Sequence, residues 1–568
     1  MPDQIDTDVL VIGAGGAGMR AAYEANLAGA RVLVAAKGRF GALGTRGAGG
    51  TAAAISERGG IRQVGTPNRT PEQRLGQDEV YEDIIQCGLG MADPSLVRVL
   101  VEDAPATLRQ LETWGLVPNF AEGYGAGTHG VPISVALQRM IRGSDVVVRN
   151  RTTVAELLVK NGACVGALAV DETTGDTLTI KAGATVIATG GLGRAYWLNF
   201  HPSCVTGDGY ALGYRAGAEL FNLEFHQIFI ETVAPSVNLV HTWLWESYPR
   251  LTNAAGEEFL GRYAPAGADP RDCMDQRRLH NPFSTRDALS RYIDVAMVGE
   301  VKAGRGTPSG GIFVTLEDPN FKIRPDLLEW YRYRGVHWDN GPVEIGVGHH
   351  CCDGGLRIDE NASTTVPGLF AAGELAAGPH GADRMGGNML LATQVFGARA
   401  GKAAAAHARS TGPASVDPAQ VAECSAAIAP PGSGDLSVSQ LADSLGKLMW
   451  TEVLVDRTEG GLKRARAALA WMRAEDLPRL CFTEPLDRAR AAELRNGLQA
   501  SDLVAHAATV RQESRGGHHR VDFPAQNDTE WLKVITVQQR NGDIATDFRA
   551  IDPTWRPRAA DMFGSRWG

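Results

Sequence analysis

No run in the 568-residue sequence approaches the ~20 apolar residues that a membrane-crossing helix requires. None of the eight cysteines is spaced Cys-x-x-Cys, so neither an iron–sulfur cluster nor a structural zinc site is expected within this chain. Cys351 and Cys352 are adjacent, and they read first as packed thiols, with a redox role as the lesser reading. Positive charge is scarce as well. A formal net charge of -9 argues against nucleic acid as a partner. The opening residues Met1-Pro2-Asp3-Gln4-Ile5-Asp6 form no basic, apolar leader, so a cytoplasmic protein without direct membrane insertion is expected. What the chain has in excess is glycine, 68 residues clustered near 13–18, 38–50, 190–193 and 378–401. Such clusters mark places where a backbone comes close to a ligand or to another segment.

Asp8-Val9-Leu10-Val11-Ile12 reads as a buried strand, and Gly13-Ala14-Gly15-Gly16-Ala17-Gly18 follows at once. A helical stretch and a second strand, Ala30 to Ala36, complete the unit. In this context Gly13 serves the tight turn, Gly15 the approach of a pyrophosphate and Gly18 the packing of helix on strand. The acidic residue that commonly ends the second strand is missing, and Ala36-Lys37 stands there. A further strand, Ala184 to Ala188, ends in Thr189-Gly190-Gly191, and another, Gly368 to Ala372, ends in Gly373-Glu374. Glu374 is therefore a candidate for a ribose hydroxyl. The dinucleotide domain is expected to be split by an insertion.

These motifs, together with Gly207-Asp208-Gly209, Asn253-Ala254-Ala255-Gly256-Glu257, His380-Gly381-Ala382-Asp383-Arg384-Met385-Gly386-Gly387-Asn388 and Glu513-Ser514-Arg515-Gly516-Gly517-His518-His519-Arg520, resemble the succinate dehydrogenase/fumarate reductase flavoprotein family, which includes L-aspartate oxidase. The resemblance runs along nearly the whole chain. It implies an α/β fold: a two-dinucleotide-fold, Rossmann-like FAD-binding domain (1–225 and 346–410), an inserted α+β capping domain (226–345), a C-terminal helical domain (411–525) and a tail (526–568). It implies hydride transfer between flavin N5 and a carboxylate-bearing small molecule. Expected FAD contacts are Gly13, Gly15, Gly16, Gly18, Lys37, Gly44, Thr45, Gly49, Gly50, Thr189, Gly190, Asp208, Glu374, Asn388 and Leu390. No histidine lies near Leu43, where membrane-bound members attach the flavin, so FAD is expected to be non-covalent.

By the same resemblance, Arg286 is the proton shuttle, with Arg291 as its alternate, while His350 and Arg384 bind a substrate carboxylate. A guanidinium fork suits that anion. The cap departs from the family pattern. Its usual histidine falls on Phe229, its Thr-Glu pair on His241-Thr242 and a following arginine on Trp245. Phe229, His241, Thr242 and Trp243 then line the other end of the substrate, which is expected to differ from plain succinate or fumarate. Competing readings are an L-aspartate-oxidase-like enzyme, an adenylylsulfate-reductase-like enzyme and a non-catalytic flavin-binding subunit. An iron–sulfur or other electron-transfer partner is expected, and the sequence leaves room for an oligomer.

Overall fold

The computed structural model describes residues 3–41, 77–116, 130–240, 242–278, 282–286, 289–318, 321, 323–412, 415–428 and 430–551. The chain begins with β1 (Asp3–Ile12), α1 (Gly16–Leu27) and β2 (Val32–Ala35). After three helices come β3 (Val147–Arg149), β4 (Thr152–Lys160), β5 (Ala163–Asp171) and β6 (Thr177–Ile187). The middle of the chain holds β7 (Leu220–Phe221), β8 (His226–Thr232), β9 (Asn238–Leu239), β10 (Arg250–Thr252), β11 (Ile312–Thr315) and β12 (Val343–Cys352). It continues into β13 (Gly355–Arg357), β14 (Leu369–Ala371) and β15 (Ala376–Ala377). The last four strands are β16 (Leu436–Ser437), β17 (Leu480–Cys481), β18 (Lys533–Arg540) and β19 (Asp543–Ala550).

The first sheet runs β3-β2-β1-β6-β5-β4, and β14 also pairs with β6. Its β1–β2, β1–β6, β2–β3 and β6–β14 pairs are parallel. Val9, Leu10 and Val11 are fully buried, as a strand covered on both faces is, which explains the unbroken apolar run. Gly13 has φ +104°, and a Cβ there would strike the Ala188 carbonyl. A Cβ at Gly18 would strike the Gly13 carbonyl, so α1 sits down on β1 only because that position has no side chain. The helix Asn388–Thr411 lies along α1 in the same way, with Gly397 against the Ala17 carbonyl and Gly401 against the Ala21 backbone.

The second sheet, β10-β11-β12-β8-β9, is wholly antiparallel. It holds the insertion, and β12 carries it to Cys352, past the boundary expected at 345. The third sheet, β15-β13-β7-β18-β19, draws on the far end of the chain. The stretch expected as a tail thus contains a β-hairpin: Ile535 and Val537 are buried, and β18 pairs with β7. Among the described residues no helix is long and apolar enough to cross a membrane.

Candidate functional site

The glycine loop leaves space for a phosphate group. Nothing lies within 4 Å of a Cβ built on Gly15, in contrast to the crowding at Gly13 and Gly18. Gly15 caps α1 without any side-chain bond, Gly16 opens the helix, and its first turn holds no acidic residue. The free amides and the positive end of the helix therefore face an open cradle suited to a pyrophosphate. Around it, Thr189 Oγ1 and Asn388 Nδ2 are buried with no partner among the described residues. Gly190 follows Thr189 with φ +76°, and Leu390 is buried two residues beyond Asn388. The residues present fit the dinucleotide half of FAD. Gly44, Thr45, Gly49 and Gly50 lie outside the described residues.

Three of the expected cofactor contacts are engaged by the protein itself. Lys37 Nζ lies 2.6 Å from Asp208 and 2.8 Å from Glu493, and donates to Thr206 Oγ1. Burial opposes its charge, but the two carboxylates outweigh burial and hold the ammonium above its ordinary range. Asp208 also accepts from Asn496 Nδ2 and Thr206 Oγ1; burial raises its pKa, but Lys37 and these bonds leave it below the usual value. Glu493 lacks those bonds, and burial pushes it up instead. This cluster locks the end of β2 to the helices Asp208–Arg215 and Leu486–Val510. Glu374 lies against Gly191 and accepts the Cys352 backbone N–H at 3.0 Å. Burial pushes its carboxyl up to about 7.

The expected carboxylate-binding groups converge through shared partners. Arg384 Nη2 donates to Gln227 Oε1 at 2.5 Å and Nη1 to the Met385 carbonyl at 3.0 Å. Gln227 in turn donates to the Arg384 carbonyl and accepts from Cys351 Sγ at 3.4 Å. His350, the next residue back along β12, lies between Phe229 and Phe200, with centroids at 4.2 and 5.1 Å. The Arg286 guanidinium lies 3.6 Å from Asp383, the residue preceding Arg384, and 3.8 Å from Cys87 Sγ. Ser284 Oγ donates to Asp383 and accepts the Arg286 N–H, which fixes the turn that presents Arg286. Arg291, the alternate, donates to the Thr285 carbonyl at 3.3 Å and so supports that turn from behind.

The aromatic expectation divides. Phe229 covers His350. Trp243 instead packs on Trp338, Tyr331 and Phe321 in an aromatic cluster of the inserted region, and Thr242 stands at the start of the short helix Trp243–Glu246. Trp245 is fully buried. His241 lies outside the described residues. Sequence reasoning missed Gln227, which ties Arg384 to β8, and the buried Glu231 on the same strand. Their signal was the period-2 alternation of 227, 229 and 231 in β8.

Among the described residues, one group has metal-ligand spacing: His226, His349 and Cys352, whose donor atoms lie within 4.8 Å of one another. The two imidazoles bond to each other at 3.0 Å, and His226 Nε2 donates to the Leu223 carbonyl. Burial first, then charges that include the Arg457 guanidinium, push both imidazoles below their ordinary range. That setting favours the neutral, hydrogen-bonded form of both rings.

Known proteins share this sequence pattern and fold. Residues 8–135 and 121–390 match the FAD binding domain family, and residues 442–561 match the fumarate reductase flavoprotein C-terminal family. The chain is 31% identical to a subunit of the fumarate reductase (CoM/CoB) of Methanothermobacter marburgensis, over 94% of this chain and 97% of that one. It is also 31% identical to L-aspartate oxidase of Streptomyces coelicolor, over 94% and 92%. The solved structure of Mycobacterium smegmatis Sdh1 in complex with UQ1 superposes with a TM-score of 0.82 at 27% identity, covering 98% of this chain and 96% of that one.

Proposed function

Since the chain belongs to the fumarate reductase/succinate dehydrogenase flavoprotein family and is an FAD-dependent oxidoreductase, we propose that it interconverts a carbon–carbon single and double bond beside a substrate carboxylate. FAD, when bound, supplies hydride exchange at its N5. Arg384 and His350 grip the carboxylate: the guanidinium offers a planar pair of donors, and the imidazole adds a further polar contact. Arg286 moves the proton that accompanies the hydride. Its intrinsic reluctance as an acid makes placement decisive, and Asp383 with the Ser284 turn supplies that placement. Phe229 and Phe200 keep water from the imidazole. The flavin is held without a covalent bond. Electrons arrive from a separate iron–sulfur or other electron-transfer partner, or from a diffusible donor.

The observation that carries this reading is the bonding of Gln227. Through it, Arg384 is anchored on the strand face that also carries Phe229, which in turn contacts His350 at the bulge of β12. Arg286→Ala tests it. The variant is expected to stay yellow, with FAD released by acid denaturation, and to lose at least ~10²-fold in reduction of an unsaturated acid by dithionite-reduced viologen. Unchanged turnover would remove Arg286 from the chemistry. Hydrogen peroxide release with an amino acid would favour the oxidase reading over this one.

A further inference from the structure

Side chains at 227, 229 and 231 of β8 share one face. The first anchors Arg384 and the second covers His350. The third, Glu231, is 1% exposed, and neither of its carboxyl oxygens has a partner among the described residues. In register Glu231 stands opposite Gly346 and Phe229 opposite Gly348. The Glu231 carboxyl nevertheless lies over Gly348, where any Cβ would collide with it. The side chain therefore leans two residue pairs along the sheet, toward Phe229 and His350. Gly348 leaves the room it leans into, while the space over Gly346 is taken by the Val233 and Leu198 side chains and the Gly310 carbonyl.

We propose that Glu231 forms the far end of the substrate site and selects an unsaturated acid whose second end is an uncharged carbonyl, an amide before an ester, over a dicarboxylate. The inference rests on the function proposed above.

A buried polar group with no partner is costly, so one that persists calls for a ligand. Burial alone acts on this carboxyl, with no cation to oppose it, and holds it protonated well above the ordinary range. A protonated carboxyl has one O–H donor and one carbonyl acceptor. A primary amide matches both: its carbonyl accepts and its N–H donates. An ester matches only the donor. A second carboxylate brings an uncompensated charge against a buried carboxyl with no cation beside it, which costs more than its hydrogen bond returns.

The test uses the full FAD-loaded chain, reduced viologen as electron donor, and fumarate, its monomethyl ester and its monoamide as probes. The monoamide is expected to exceed fumarate in kcat/KM by at least ~10-fold, with the ester between them. Glu231→Leu should bring the three probes to within ~3-fold of one another, while Glu231→Gln, which can still pair with an amide, keeps most of the preference. The ratio of probes is measured within each variant, so a loss of folded protein does not alter it. Fumarate equal to or better than the monoamide, or a ratio unchanged in Glu231→Leu, overturns the inference and leaves the proposed reaction standing. Should none of the acids be reduced or perturb the flavin absorbance, the proposed reaction falls and the inference with it.

Discussion

Glu374 sits where burial works against ionisation while the Cys352 and Gly191 amides favour it, and burial wins, with the carboxyl pushed up to about 7 from 4.5. An acid raised in this way binds more protons folded than unfolded between the two values. Its contribution is full below 4.5 and is lost as pH rises through 7. The rise from 4.5 to about 7 bounds the contribution at about 3 kcal/mol, reduced by water screening at this partly exposed side chain. Melting of the flavin-free chain should therefore fall more steeply from pH 5 to 7.5 in the parent than in Glu374→Gln. Parallel pH profiles would refute the assignment. At this scale the sequence spoke unevenly. Arg286, His350 and Arg384 were singled out because they stand in motifs. Gln227 and Glu231 were not, because a polar residue inside a strand acquires its meaning only from what lies across the sheet. Lys37 and Asp208 were read toward the cofactor because neither the 171-residue separation between them nor the third partner, Glu493, leaves a local trace.

The strand–loop–helix at the start of the chain was the most legible element, since each glycine has a distinct steric duty. Gly18→Ala places a methyl group against the Gly13 carbonyl, and the helix must lift off the sheet. Gly15→Ala meets nothing in the protein. The two variants should therefore separate. Gly15→Ala is expected to melt within ~0.5 kcal/mol of the parent without flavin and to bind FAD more weakly. Gly18→Ala is expected to lose ~3 kcal/mol or more, as overpacking against fixed backbone does. Thermal melts with and without FAD check both. The element that sequence reasoning missed was the hairpin of β18 and β19. Its signal was present: Asn541-Gly542, at φ +54° and +88°, joins two runs of alternating residues, as a two-residue hairpin turn requires. It passed as tail because no motif marks it and its partner, β7, is a two-residue strand.

Across the whole molecule, the segments that meet are held by buried charge as much as by apolar packing. Arg511 is fully buried, bonds Glu224 at 2.6 Å and Glu513 at 2.9 Å, and donates to the Trp531 and Lys533 carbonyls. Arg515 pairs with the same Glu513, reaches Asp528 and donates to the Leu89 carbonyl. The network ties the end of the helix Leu486–Val510 to the strand region near Glu224 and to the start of β18. Arg511→Met keeps the bulk but strands the buried Glu224 carboxylate, while Glu513 keeps Arg515, and it should cost about 3–5 kcal/mol, seen as a lower melting temperature of the FAD-loaded chain. A melt within a degree of the parent would show that the network is not needed to hold these segments together. The family motif around Glu513 and Arg515 was readable in the sequence, but its joining role was not, because Leu89 and Glu224 lie hundreds of residues upstream.

The third sheet has a consequence for synthesis. β7 leaves the ribosome about 310 residues before β18, its neighbour in that sheet. At roughly 5–20 residues per second, the interval is on the order of 15–60 s. Throughout that time a nascent chain carries an open strand edge, which the β18–β19 hairpin then closes. Polypeptides released early by a stalled or truncated message would keep that edge, and they would be the forms most prone to pair with one another.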